Sequence, residues 1–177
     1  MPRYVAFLRG INVGGHTVKM PQLRALVADQ GYDDVETFIA SGNVVLTSRQ
    51  RAATVESTLT TAFEKELGYA VATFVRTPAQ LADIIDADPF APIEDGHKVQ
   101  VGFLASEPTA ACRKAVEALS NDYDTLRCHG REVYWLTRGG ISGTQIKPAT
   151  FDRAVDASTT FRNLTTVRRL VDKCAKA

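Results

Sequence analysis

Residues 35–46 read VETFIASGNVVL. Val35 to Ala40 and Val44 to Leu46 are rich in strand-favouring residues, and Ser41-Gly42-Asn43 between them is turn chemistry. Glycine and asparagine tolerate the positive φ of a hairpin tip, so the stretch predicts two antiparallel strands joined by a short turn. The fold follows from what flanks it. Upstream, Tyr4 to Leu8 is a short apolar run ended by Gly10, and Pro21 opens a helix whose inner stripe is Leu23, Leu26 and Val27. Downstream, Val55, Leu59, Ala62, Phe63 and Leu67 recur at helical spacing before Gly68, and Val71 to Val75 reads as a strand. Strand, helix, hairpin, helix, strand is the split βαββαβ, or ferredoxin-like, order.

A second cycle follows. Thr77-Pro78-Ala79-Gln80 is a helix start: the threonine caps, the proline takes the first helical position and the glutamine completes a capping box. Residues 86–97, with Pro89, Pro92 and Gly96, read as a connection. Val99, Val101 and Phe103 alternate as a half-buried strand does. Pro108 opens a helix carrying Cys112, Val116 and Leu119, and Leu126 to Cys128 and Val133 to Leu136 flank a second turn at His129-Gly130-Arg131. Thr137 to Pro148 reads as loop, and Leu164, Val167, Leu170, Val171 and Cys174 form a closing helical stripe. The expectation is an α+β protein of two ferredoxin-like (βαββαβ-type) halves packed as one compact protein. They would span residues 1–76 and 77–177, the second starting with a helix and connector.

Composition supports a folded chain: 177 residues, 45% hydrophobic and 23% charged. No apolar stretch approaches the roughly 20 residues that cross a bilayer, and MPRYVAFLRG lacks the apolar core of a signal peptide. Cys112, Cys128 and Cys174 are scattered without a CxxC pair, which suits free thiols in a reducing cytoplasm. His16, His97 and His129 have no ligand spacing, so no metal site is expected, and no cofactor is indicated. The net charge of +1 hides an acidic stretch from Leu81 to Asp124 and a basic one from Arg127 onward. The basic third reads as a solvated helix face, with nucleic-acid phosphate contact as the alternative. The aromatic signature of an RNA-reading sheet is absent from Val44-Val45-Leu46, and residues 100–104 match it only at Gly102-Phe103.

Residues 10–17, GINVGGHT, resemble the phosphate loop G-x-x-x-x-G-K-[ST], with His16 in place of the lysine. A working phosphate loop runs straight into a helix, whereas here Val18, Lys19 and Met20 precede Pro21. The dinucleotide pattern fails as well, since it needs a glycine at Asn12. Nucleoside triphosphate hydrolysis is therefore not expected. What remains is a glycine-rich loop carrying Arg9, Asn12, His16, Thr17 and Lys19 at the carboxyl end of the first strand.

MPRYVAFLRGINVGG, then Met20 and Leu23-Arg24, then IASGNVVL and FRNLTTV, resemble a widespread, mainly bacterial family of proteins catalogued as a domain of unknown function. The resemblance implies a two-part fold with ferredoxin-like halves and no assigned activity. It singles out Arg9, Gly10, Asn12, Gly14, Gly15, Ser41, Gly42, Asn43, Arg162, Asn163 and Thr166 as motif positions. His16 falls where members vary, and Phe161 and Leu164 depart from frequent threonine and tryptophan. These phrases sit in loops and turns, where binding groups concentrate. The leading expectation is a cytoplasmic module for a small anionic or phosphorylated ligand. Arg9 and Arg162 would pair the anion, the backbone N–H groups of Gly14 and Gly15 and the side chain of Asn12 would orient it, Asn163 would cap the last helix, and Gly10, Ser41 and Asn43 would complete the site. An enzyme on such a ligand, with His16 or Lys19 as the acid–base group, is the second reading.

Overall fold

The computed structural model describes residues 1–12 and 14–176, so Val13 of the glycine phrase lies outside the described residues. The chain forms two compact units: Met1–Ala82 together with the residues from Arg169 on, and Asp83–Arg168.

The first unit contains β1 (Arg3–Leu8), α1 (Met20–Ala28), β2 (Asp33–Phe38), β3 (Asn43–Thr47), α2 (Ala52–Leu67) and β4 (Thr73–Arg76). Its sheet has the order β2-β3-β1-β4, with every pairing antiparallel. Alternation along β1 sends Tyr4, Ala6 and Leu8 into the core with Leu23 and Val27 of α1 and Val55, Leu59 and Phe63 of α2. Val5 and Phe7, on the opposite face of the same strand, are also buried. Pro21 lies in the first turn of α1 after an extended Lys19, and Gly68 ends α2 in the left-handed conformation. β4 is an edge strand, and the Val75 N–H donates to the Glu56 carboxylate of α2 at 2.8 Å. That bond removes a donor from the free edge, the kind of edge that otherwise templates unwanted strand pairing.

A helix, α3 (Pro78–Asp86), follows. Its start is the capping box read from the sequence: the Thr77 N–H donates to Gln80 Oε1 at 2.9 Å, and the Gln80 N–H donates to Thr77 Oγ1 at 3.1 Å.

The second unit repeats the topology with β5 (Lys98–Phe103), α4 (Ala110–Glu117), β6 (Asp124–His129), β7 (Glu132–Thr137), α5 (Pro148–Val155) and β8 (Thr160–Asn163), in the sheet order β6-β7-β5-β8. Edge strand β6 is guarded as β4 is. The Cys128 N–H donates to Glu117 Oε1 at 2.9 Å, and the Cys128 carbonyl accepts from Arg113 Nη1 at 2.9 Å. The chain closes with α6 (Leu164–Ala175). Both halves are thus ferredoxin-like, four-stranded and antiparallel, as the sequence predicts.

Two elements differ from that prediction. Pro148 opens α5 instead of closing a loop, and Thr160–Asn163 is a strand instead of the lead-in to the last helix. α5 has one apolar pair at helical spacing, Phe151 and Val155, too short a pattern to stand out. β8 is four residues, TFRN, defined by its pairing with Gln100–Phe103 and not by composition. Among the described residues, no helix is long and apolar enough to cross a membrane.

Candidate functional site

The glycine loop and the first hairpin turn form one structure. Asn12, itself at φ 60°, uses both ends of its amide. Its Oδ1 accepts from the Val18 N–H at 2.6 Å, and its Nδ2 donates to the Ala40 carbonyl at 3.1 Å. Gly10, Gly14 and Gly15 also lie at positive φ, which glycine adopts without the penalty a Cβ brings. The backbone joins the two segments again where the Leu8 N–H donates to the Gly42 carbonyl at 2.9 Å. A Cβ on Gly42 would lie 3.2 Å from both Leu8 Cβ and Ile11 Cβ, and Gly42 sits at φ +77°. Gly42→Ala is therefore expected to lower stability by about 1–3 kcal/mol, from the left-handed strain plus the tight contacts. Urea titration of the variant measures this, and an unchanged midpoint would show that the loop and turn separate freely.

The turn itself is held by Asn43, which is fully buried and donates through Nδ2 to the Phe38 carbonyl and to Ser41 Oγ, both at 3.0 Å. Asn43 is thus a turn residue, while Ser41 is exposed at its tip. Arg9 is half-buried, and its N–H donates to the Ala72 carbonyl at 2.8 Å. Gly14, Gly15, His16, Thr17 and Lys19 are exposed. The His16 ring stacks on Tyr69, with centroids 3.8 Å apart and planes at 24°. The first helix begins only at Met20, so its N-terminus stands five residues beyond Gly15.

Arg162 and Asn163 belong to the second unit, on β8. Arg162 is 7% exposed, and its Nη1 donates to Thr160 Oγ1 and to the Phe161 carbonyl, both at 2.8 Å. Burial draws its guanidinium down to about 10. Asn163 is exposed and immediately precedes α6, the position where a side-chain oxygen caps a helix.

A second feature is not evident from the sequence. In the first unit, Arg169, Lys173 and Lys176 of the C-terminal helical segment, with Asp172 and Phe38, line a groove of about 500 Å³. The Arg169 guanidinium lies 5.0 Å over the Phe38 ring, and Lys173 pairs with Glu36. The i, i+4, i+7 spacing of the three cations was visible in the sequence, but the aromatic facing them comes from a strand far away in the chain.

Among the described residues, no group of three or more His, Cys, Asp or Glu side chains could hold a metal ion. Cys128 is buried, and burial first, then the Glu117 carboxylate, push its thiol up to about 11. The folded value lies above the ordinary 9.0, so this thiol favours folding at low pH, and that contribution fades as pH rises from about 9 through about 11. At pH 8 the protein is expected to leave Cys128 unmodified by a maleimide until denaturant is added. Mass spectrometry of the labelled peptide reads this directly, and rapid native labelling would contradict it.

No curated protein matches the sequence. Among solved structures, the chain is similar to the conserved bacterial protein SP0830 from Streptococcus pneumoniae, at 21% identity and a TM-score of 0.76, with 97% of each chain covered. At that identity the likeness concerns the fold: a chain repeating one four-stranded topology twice has a solved counterpart along nearly its whole length. The sequence profile of the family DUF1697, proteins of unknown function, matches residues 1–134. That stretch includes the glycine loop, the hairpin it is tied to and the second sheet as far as β7, so the chain belongs to the DUF1697 family of proteins of unknown function.

Proposed function

We propose that this protein is a binding module for a small anionic or phosphorylated ligand, received on the glycine loop of its first unit. The observation that carries the reading is the double use of Asn12. It ties the loop to Val18 on one side and to the hairpin at Ala40 on the other, and residues 14–17 between these ties are exposed. A preorganised loop avoids the ordering cost that binding otherwise incurs. Consecutive backbone N–H groups in turn and left-handed conformations make concavities that favour anions, and Gly14 and Gly15 both lie at positive φ. Arg9 and Lys19 flank the loop with positive charge, and the exposed Ser41 hydroxyl stands at the hairpin tip, where it accepts from Asn43 Nδ2. Arg162, engaged with Thr160 and Phe161, serves β8 in this reading and does not receive the ligand.

The test is a titration of phosphate monoesters that carry no nucleobase, followed by calorimetry and thermal shift. A ligand of this site should raise the unfolding midpoint in step with its occupancy. Lys19→Ala and Gly15→Ala should each weaken it by about tenfold, the first by removing a charge-assisted contact and the second by forcing the loop out of its left-handed geometry. Binding that is indifferent to both changes, or no saturable binding of any monoester, would remove the proposal.

A further inference from the structure

The groove formed by Phe38 and residues 169–176 is not used by the loop site, and its chemistry is specific. Three cations, Arg169, Lys173 and Lys176, line it with one carboxylate, Asp172. Lys173 is engaged by Glu36, so the local surplus of positive charge is small. That suits one phosphate group and not a polyphosphate, whose charge would meet Asp172 and Glu36 at close range. The Arg169 guanidinium carbon lies 5.0 Å from the Phe38 ring centroid, within cation–π reach. A guanidinium with one face on an aromatic ring still offers its outer face to a second planar group, and its edge N–H groups still donate. Nucleobases are recognised by such stacking on aromatic and arginine planes. The groove volume, about 500 Å³, falls in the range of roughly 300–1,000 Å³ typical of small-molecule sites. Asp172 supplies an acceptor for a hydroxyl or amino group, which an inorganic anion lacks.

We infer that this groove is a binding site for a nucleoside monophosphate. The base stacks on the Arg169–Phe38 pair, the phosphate meets Lys176 and Lys173, and Asp172 accepts from the sugar or the base. The inference stands apart from the loop site, because none of these residues belongs to it.

The experiment titrates adenosine 5′-monophosphate into the full chain, with adenosine, ribose 5-phosphate and inorganic phosphate as separate arms, read by calorimetry. The nucleotide should bind at least about tenfold more tightly than each of the three fragments, since only it engages both the stack and the cations. Arg169→Met and Lys176→Ala, both at exposed positions, should each weaken the nucleotide by about tenfold while circular dichroism and the melting midpoint stay unchanged. Lys19→Ala and Gly15→Ala should leave it unaffected, which separates this site from the glycine loop. Absence of saturable nucleotide binding, equal affinity for phosphate alone, or insensitivity to Arg169→Met and Lys176→Ala would each overturn the assignment.

Discussion

Asp124→Ala is expected to lower the stability of the second unit by about 3–5 kcal/mol, the cost of stranding a buried indole N–H and a half-buried hydroxyl while removing the carboxylate that joins three segments. Asp124 is fully buried at the start of β6. One carboxylate oxygen accepts from Trp135 Nε1 on β7 at 2.8 Å. The other accepts from Thr144 Oγ1 at 2.8 Å and from Asn121 Nδ2 at 3.2 Å. One side chain therefore fixes the neighbouring strand, the chain entering β6 and the glycine-rich segment leading to α5. Alanine leaves the indole N–H and the threonine hydroxyl without partners, each costing about 1–3 kcal/mol when buried. For a chain of this size the loss corresponds to a fall of roughly 6–20 °C in Tm, at about 2–4 °C per kcal/mol. Trp135 is the single tryptophan of the chain, so its fluorescence follows the affected region during urea unfolding. Asp124→Asn keeps one acceptor and should cost about half as much. A loss below about 1 kcal/mol in the alanine variant would mean that the bonds merely exchange with water.

The sheet order was legible because hairpins and helix stripes were. Once a strand–helix–hairpin unit is recognised, connection rules leave few places for the remaining strand. The hairpin at Ser41-Gly42-Asn43 and the capping box at Thr77–Gln80 were readable for the same reason: their determinants lie within a few residues and act through the backbone. β8 was not readable, because TFRN carries neither alternation nor length and becomes a strand only by pairing with β5. The position of Arg162 depends on β8. Taken as the opening of the last helix it looked like an exposed anion partner, whereas on β8 its side chain turns inward and bonds Thr160 and Phe161.

The candidate site was legible as two phrases and not as one object. Asn12 and Ala40 are 28 residues apart, and nothing in either phrase states that the amide of one meets the carbonyl of the other. Asn12 and Asn43 were expected to orient a ligand, but their amides brace the loop and the turn. The groups these asparagines leave exposed are Gly14 to Thr17, Lys19 and Ser41. The α6 groove was hidden for a related reason. A basic stripe on a helix is ordinarily a solvated face, and Phe38, which converts this one into a lined groove, is supplied by β2.

Gly102→Val is expected to cost about 3 kcal/mol or more, because it overpacks one strand and dislodges the aromatic that covers it. Gly102 stands on β5 directly opposite Phe161 of β8. A Cβ there would come within 2.6 and 2.8 Å of two Phe161 ring carbons and within 2.9 Å of Thr159 Cγ2, distances that real side chains do not tolerate. The ring lies over the glycine because the missing side chain leaves it room, and an aromatic covering a strand glycine compensates for the packing the glycine cannot provide. Phe161 in turn closes an aromatic trio, edge-on to Trp135 at 5.5 Å and to Phe151 at 5.2 Å. Moving it loosens α5 and β8 together, since Phe151 is an α5 anchor and Phe161 a β8 residue. Phe161→Leu alone should cost about 1–2 kcal/mol, as a half-buried aromatic becomes a smaller aliphatic side chain. In the double variant the clash is relieved, so the combined loss should fall short of the sum by at least about 1 kcal/mol, the coupling expected of residues in contact. Strict additivity of the two losses in urea titrations would show that valine at position 102 is accommodated without displacing the ring.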